Sequence, residues 1–158
     1  MTITLTINGC RKTMAIEPGE RLLDLLRREG YAGVKIGCGT GDCGACAVLL
    51  NGRAVNSCLV YAAKADGGEV ITVEGLERDG RLHPVQEAFL DEGGIQCGYC
   101  TPGMVIAAVD LLSRNPNPTE TEIRQGLSGN LCRCTGYVKQ IRAVQRAAEV
   151  MRGGGCDD

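Results

Sequence analysis

Eight of the ten cysteines in this chain fall into two sets of four. The first set consists of Cys38, Cys43, Cys46 and Cys58, with the spacing C-x4-C-x2-C-x11-C. The second set consists of Cys97, Cys100, Cys132 and Cys134, with the spacing C-x2-C-x31-C-x-C. Sets of four thiolates are typical of zinc sites and of iron–sulfur clusters. The sequence therefore predicts two metal centres.

The first three cysteines of the first set have the spacing of plant-type ferredoxins, which bind a [2Fe–2S] cluster. Four glycines interleave with these ligands: Gly37, Gly39, Gly41 and Gly44. Glycine permits positive φ angles and lets backbone N–H groups approach the sulfurs without a Cβ clash. Such donors stabilise a negative cluster, so we expect a [2Fe–2S] cluster in this loop.

Two other interpretations of this loop fit less well. The stretch 39–44 matches G-x-G-x-x-G, but a dinucleotide fingerprint lies between a strand and a helix, and here a hairpin follows. Structural zinc sites favour paired C-x2-C knuckles, which the first set lacks.

The second set indicates a cluster at the ends of helices. Two helices fit into the 31-residue gap, so both cysteine pairs can meet at one end of a bundle. Cys100 directly precedes Thr101 and Pro102, which are typical of an N-cap and a first helical residue. A helix N-terminus favours a thiolate. Arg133 lies between two ligands, where it either offsets the cluster charge or is solvated.

Three alternatives for the second set are weaker. A thiol–disulfide motif at Cys97 and Cys100 leaves the other two cysteines unexplained. A c-type haem requires His directly after the second Cys, where Thr101 stands. A Rieske centre requires two His, whereas His83 is the only one and is predicted to start a helix.

Cys10 and Cys156 are expected to be free thiols without a role.

The elements that position the first set are two hairpins and a helix. The first hairpin is predicted by alternating apolar residues over 2–7, by a turn at Asn8-Gly9, and by a returning strand that contains Met14. A short helix over 22–29 ends at Gly30. A second hairpin is predicted at 47–50 and 53–55, which flank a turn at Asn51-Gly52. A last strand is predicted at 70–73.

The pattern becomes helical after a polar stretch. Helices are predicted from Pro84 to about Asp91, from Thr101 to the Asn-Pro repeat at 115–118, and after a capping box of Thr119 and Glu122. A fourth helix carries the apolar stripe Ile141, Val144, Ala148 and Met151. We therefore predict a first domain at 1–76, a linker at 77–82, a helical domain at 83–152 and a loose tail at 153–158.

Composition narrows the class of protein. Aromatic residues make up 3% of the 158 residues and there is no Trp, so metal cross-links would help a small core. A formal net charge of −2 with no basic block does not favour nucleic-acid or membrane-surface binding. No spanning segment or export signal is visible, so we expect a cytoplasmic location with reduced thiols.

Three stretches resemble one family across nearly the whole chain. They are residues 37–46 (GCGTGDCGAC), 96–103 (QCGYCTPG) and 129–137 (GNLCRCTGY). The chain resembles the small iron–sulfur subunit of the xanthine dehydrogenase/aldehyde oxidoreductase family of molybdenum hydroxylases.

The resemblance implies an α+β protein with a β-grasp, ferredoxin-like domain followed by a four-helix bundle, and two [2Fe–2S] clusters. It implies an electron-transfer subunit of an oxidoreductase complex, without a substrate site of its own. Partners would be a large molybdopterin-binding subunit and a medium FAD-binding subunit, in a complex that dimerises. Electrons would pass from the molybdopterin through the helical-domain cluster and the ferredoxin-like cluster to FAD. Gln96 and the sulfur of Cys134 would contact the pterin, while a second interpretation of Gln96 is a hydrogen bond to the cluster.

One departure from the family concerns the last helix. The family usually has Ile or Leu three residues beyond Tyr137, where this chain has Gln140 followed by Ile141. We expect this change to affect helix packing and not ligation. The sequence names neither the substrate nor the final electron acceptor. Two alternative complexes remain: an aromatic acyl-CoA reductase, and an enzyme without a flavin subunit. A zinc-stapled interaction module is the alternative from another class.

Overall fold

A computed structural model describes residues 1–153 of the chain. Its first part is a mixed five-stranded sheet in the order β2-β1-β5-β3-β4. The strands are β1 (Thr2–Ile7), β2 (Cys10–Ala15), β3 (Ala47–Leu50), β4 (Arg53–Asn56) and β5 (Glu69–Ile71). β1 pairs with β5 in parallel, and the remaining neighbours pair antiparallel.

Both predicted hairpin turns are confirmed. Asn8 and Gly9 have φ angles of 49° and 80°, and Asn51 and Gly52 have 50° and 78°. A two-residue turn with positive φ at both positions matches the twist of its strands, and Asn-Gly tolerates that geometry. These turns fix the strand register.

One helix, α1 (Leu22–Arg28), packs on this sheet. All four of its leucines are fully buried, against Ile3, Leu5, Val48 and Val70 among others. Short 3-10 helices at Ser57–Leu59, Ala62–Ala65 and Val73–Leu76, which the sequence did not predict, complete this part.

Four helices follow, as predicted: α2 (Pro84–Asp91), α3 (Thr101–Arg114), α4 (Glu120–Gly126) and α5 (Val138–Gly153). The capping box of Thr119 and Glu122 is present at α4, and His83 caps α2. The predicted fold class, a β-grasp sheet followed by a helical bundle, is confirmed.

Two local predictions were wrong. Thr101 is the first residue of α3 and Cys100 is its N-cap, with no capping side-chain bond. Met151 is 42% exposed, whereas Gln140 is fully buried, because the inward face of α5 runs from Gln140 to Ala148 and does not reach Met151. Gly153, with which the predicted tail begins, is the last residue of α5. Cys156 lies outside the described residues.

The sheet and the helices share a tight contact. Gly44 and Gly103 approach so closely that a Cβ at Gly103 would lie 2.2 Å from the Gly44 carbonyl oxygen. Nearby, the buried carboxylate of Asp110 on α3 accepts from Arg53 on β4 at 3.1 Å and from Arg114 at 2.9 Å. Among residues 1–153, no helix is both long and apolar enough to cross a membrane.

Candidate iron–sulfur sites

The first cysteine set lies on the loop between α1 and β3 and on the 3-10 helix after β4. The sulfur of Cys38 accepts backbone N–H groups from Thr40 at 3.4 Å, Asp42 at 3.3 Å and Cys43 at 3.4 Å. The backbone N–H of Cys38 points in turn at the sulfur of Cys43, at 3.3 Å. The loop therefore surrounds its own thiols with amide donors, as its glycines predict.

Glycine is required at two points of this loop. A Cβ at Gly37 would lie 2.5 Å from the sulfur of Cys43. Gly41 has a φ angle of 90°, and a Cβ there would meet the side chain of Leu59 at 2.4 Å. The Asn56 side chain also donates to the Gly41 carbonyl at 2.8 Å, which ties the loop to β4.

The thiols of the first set form two pairs. Cys38 contacts Cys43, and Cys46 contacts Cys58. Hydrogen bonds from Thr40, and then from Cys43, lower the pKa of Cys38 to about 6. Burial and the neighbouring Cys46 raise the pKa of Cys58 to about 11. One thiol is thus a ready thiolate at neutral pH, while its buried counterpart has to lose its proton on binding a metal.

The second set lies where α3 and α5 begin. Cys97 and Cys100 precede α3, and Cys132 and Cys134 precede α5. The loop before α5 is shaped by Tyr137, whose φ angle is 70° and whose hydroxyl accepts from the Cys132 N–H at 2.8 Å. The Thr135 hydroxyl donates to the Cys132 sulfur at 3.1 Å.

These thiols also form two pairs, because Cys100 contacts Cys132 and Cys97 contacts Cys134. Burial raises the pKa of Cys100 to about 11, and the nearby Cys132 adds to the shift. Burial also raises the pKa of Cys132, but hydrogen bonds from Thr135 and Cys134 outweigh it and bring the pKa to about 7.

The pairing suits a two-iron core. Within residues 1–153, no three or more Cys, His, Asp or Glu side chains surround a position for a single metal ion. Each set brings four thiols together, and a [2Fe–2S] core takes four Cys thiolates. Thr101, beside Cys100, adds a buried hydroxyl with no partner among the described residues. The residues present therefore fit the group that the spacing predicts.

The two sets face a common cavity. Its volume is about 180 Å³, and it is lined by Cys43 from the first set and by all four cysteines of the second. Three hydrogen bonds join the two walls. The N–H of Leu131 donates to the Cys43 carbonyl at 2.9 Å, the Asn130 amide to the Gly44 carbonyl at 3.1 Å, and the Tyr99 hydroxyl to the Ile36 carbonyl at 2.5 Å.

The other predicted residues lie at the surface. Gln96, Cys97 and Cys134 are exposed on the second set, as is Cys38 on the first. Arg133 is exposed beside the cavity, which favours neither interpretation of its charge. Cys10 is an exposed free thiol in β2, away from both sets.

Sequence reasoning missed the contacts that Gln140 and Thr135 make with cysteine sulfurs. For Gln140, the sequence predicted an effect on helix packing and not on ligation; the structure adds a hydrogen bond from its amide to the Cys100 sulfur at 3.6 Å. A polar residue at a position that the resemblance assigns to Ile or Leu was the available signal.

Comparison with known proteins covers both parts of the chain. Residues 5–73 match the 2Fe-2S iron-sulfur cluster binding domain, and residues 72–145 match the [2Fe-2S] binding domain. The nicotinate dehydrogenase small FeS subunit of Eubacterium barkeri is 50% identical over 94% of this chain and 96% of its own length. The xanthine dehydrogenase iron-sulfur-binding subunit of Escherichia coli O157:H7 is 48% identical over 91% of this chain and 92% of its own.

A solved structure agrees with these relatives. A chain of quinoline 2-oxidoreductase from Pseudomonas putida 86 superposes with a TM-score of 0.93 at 43% identity, covering 98% of this chain and 97% of that one. Two cluster-binding domains in this order, over more than nine tenths of the length of named iron–sulfur subunits, identify the class of protein. The chain belongs to the small iron–sulfur subunits of the xanthine dehydrogenase/aldehyde oxidoreductase family of molybdenum hydroxylases.

Proposed function

We propose that this chain relays single electrons between the molybdenum–pterin site of a large partner subunit and FAD, or another acceptor, through two [2Fe–2S] clusters. Cys38, Cys43, Cys46 and Cys58 hold the first cluster; Cys97, Cys100, Cys132 and Cys134 hold the second. Each bound cluster supplies one-electron redox chemistry. The chain's own residues hold it and set its distance from the other cluster.

The observation that carries this proposal is the junction between the two thiol sets. Cys43 of the first set and all four cysteines of the second line one cavity of about 180 Å³, and the N–H of Leu131, the residue before Cys132, donates directly to the carbonyl of Cys43. A ligand of one set is therefore linked to a ligand of the other by covalent bonds and one hydrogen bond. Two clusters with unrelated structural roles would not need such a link.

The exposed ligands support a direction for the relay. Gln96 and Cys134 lie at the surface on the helical side, and we assign the pterin contact of the large subunit to them. Cys38 lies on an exposed loop of the ferredoxin-like part, and we assign that loop to a medium FAD-binding subunit. The assembly proposed is a cytoplasmic heterotrimer that dimerises.

The proposed domain boundaries are 1–76 for the ferredoxin-like domain and 83–152 for the helical domain, with a linker at 77–82. The polar turn around Asp79 and Gly80, both with positive φ, supports a connection there. Both domains need each other for the relay, because the junction draws on residues from each.

The test is electron paramagnetic resonance on the purified complex. We expect a brown protein with two distinct [2Fe–2S] signals after reduction. In samples frozen rapidly after substrate is added, both signals should appear within the time of one turnover. Leu131→Pro removes the bridging N–H and also fixes φ at this position, and we expect slower passage of the electron from the second cluster to the first. Leu131→Ala keeps that donor and serves as the matched control.

A colourless protein that holds zinc would overturn the proposal. Equal rates in Leu131→Pro and Leu131→Ala, with both clusters intact, would overturn the assigned junction.

A further inference from the structure

Gln140 brings a polar group into the apolar packing of α5. Its side chain is fully buried, and its neighbours on the inward face of the helix are Ile141, Ala143 and Val144. A buried amide lowers stability unless its donors and acceptor are all hydrogen-bonded. The partners of this amide therefore indicate what the side chain does.

Its two contacts are both acceptors. The Nε2 atom donates to the Gly94 carbonyl at 3.3 Å and to the Cys100 sulfur at 3.6 Å. A carbonyl oxygen can only accept, so Gly94 fixes which end of the amide is the NH2 group. That end points at the sulfur, while Oε1 is buried with no partner among the described residues. An amide that leaves its oxygen unpaired is poorly suited to a purely structural role.

We propose that Gln140 is a positioning residue that raises the reduction potential of the helical-domain cluster by donating a hydrogen bond to the Cys100 sulfur. This inference rests on the proposed function, in which Cys100 is a cluster ligand. Reduction adds one electron, supplied from the molybdenum side of the complex, and breaks no ligand bond. A donor on a ligand sulfur favours the more negative, reduced state, and exclusion of water strengthens the effect.

The position in the helix makes the contact specific to one cluster. Gln140 lies in the first turn of α5, directly beside the start of α3, and touches no cysteine of the first set. Leu or Ile, which the resemblance assigns to this position, cannot donate a hydrogen bond. We therefore expect the helical-domain cluster of this chain to have a higher reduction potential than that of relatives with an apolar residue at this position.

The experiment is a redox titration of the complete complex, followed by the two [2Fe–2S] signals separately. Gln140→Met keeps an unbranched side chain of similar length without a donor, and Gln140→Leu introduces the usual apolar type. In both variants we expect a lower midpoint potential for the helical-domain cluster and an unchanged potential for the other. Ile141→Val, a change at the next buried residue of the same helix, is the control and leaves both potentials unchanged.

A second readout does not depend on potentials. Pulsed resonance of the reduced wild-type complex in D2O should show exchangeable deuterons coupled to the helical-domain cluster, among them those of the Gln140 amide and of the Thr135 hydroxyl. Gln140→Met should lose the amide coupling and keep the hydroxyl coupling. Unshifted potentials with full iron content would overturn the inference and leave the relay intact. Loss of the second cluster from both variants would also overturn it, because Gln140 would then support the fold and not the potential. Absence of both iron signals from the wild type would instead refute the proposed function.

Discussion

The cysteines differ in what the chain places around each sulfur. Cys38 receives three backbone N–H groups, whereas Cys100 is partly buried and receives a side-chain amide. Amide donors and burial both alter how strongly a bound cluster holds its electron. The two proposed clusters should therefore differ in potential although their ligands are the same.

At this scale the proposed ligand sets predict the effect of single substitutions. Cys43→Ser should remove the first cluster and Cys100→Ser the second, so each variant should retain half of the iron and one resonance signal. Each should also melt at a lower temperature, because a bound cluster cross-links the fold. Iron analysis, resonance spectra and thermal melts measure this.

Cys10→Ser is the matched control, since Cys10 is exposed and lies away from both sets. We expect full iron content and an unchanged melting temperature for it. A Cys43→Ser or Cys100→Ser protein with both complete signals would refute the ligand assignment.

At the scale of elements, the starts of α2 and α4 agree closely with the sequence, whereas α3 begins one residue earlier than predicted. The sequence predicted α2 from Pro84 and the capping box of Thr119, and both are present. Caps are set by residues three or four positions apart, so the sequence contains the necessary information.

Thr119→Ala should destabilise α4 by about 1 kcal/mol, because the Glu122 N–H loses its acceptor. Thr121→Ala, two residues further along the same exposed helix, should cost nothing measurable. Denaturant unfolding of the two variants side by side measures the difference. An equal effect of both changes would show that capping does not stabilise this helix.

The cap of α2 should make stability depend on pH. The Nδ1 atom of His83 accepts the Val85 N–H at 3.2 Å, which requires an unprotonated nitrogen. Burial, and then the positive charge of Arg78, hold the pKa of His83 below its ordinary value of 6.5. The unfolded chain therefore takes up a proton first as pH falls, so this stabilisation is complete above about pH 6.5 and is lost below it.

His83→Asn keeps a side-chain acceptor at the N-cap that does not titrate in this range. Compared with wild type, we expect a smaller loss of melting temperature between pH 7 and pH 5. Parallel pH profiles for the two proteins would contradict this role of His83.

At the scale of the whole molecule, the junction between sheet and helices decides the arrangement. Its contacts join residues far apart in the chain, such as Gly44 with Gly103 and Ile36 with Tyr99. No periodicity or turn motif encodes such pairs. The helices and strands could therefore be predicted from the sequence, and the cysteine spacing read from it, but the way in which the two parts meet could not. Gln140 was missed for the same reason, since its partners Gly94 and Cys100 lie 46 and 40 residues away.

Gly103→Ala should disrupt this junction. Alanine normally stabilises a helix relative to glycine, by up to about 1 kcal/mol. Here the new methyl group would meet the backbone of Gly44 and Ala45, which cannot rotate aside. We expect a net loss of about 1–3 kcal/mol and faster proteolysis at the linker 77–82.

Gly129→Ala is the control, because no atom lies within 4 Å of a Cβ added there. Its melting temperature and proteolysis should match those of wild type. A Gly103→Ala protein as stable as Gly129→Ala would mean that the close approach of the two backbones is not needed.

The three hydrogen bonds that join the walls of the cavity end on main-chain carbonyls of the segment 36–44, and the one from Leu131 also begins on a main-chain N–H. Side chains change rotamer within nanoseconds, whereas a hydrogen-bonded backbone keeps its position over far longer times. The gap between the proposed clusters thus behaves as a stiff spacer and not as a hinge. Solvent viscosity should then have little influence on the internal electron step, and any viscosity dependence of turnover would arise where the partner subunits dock.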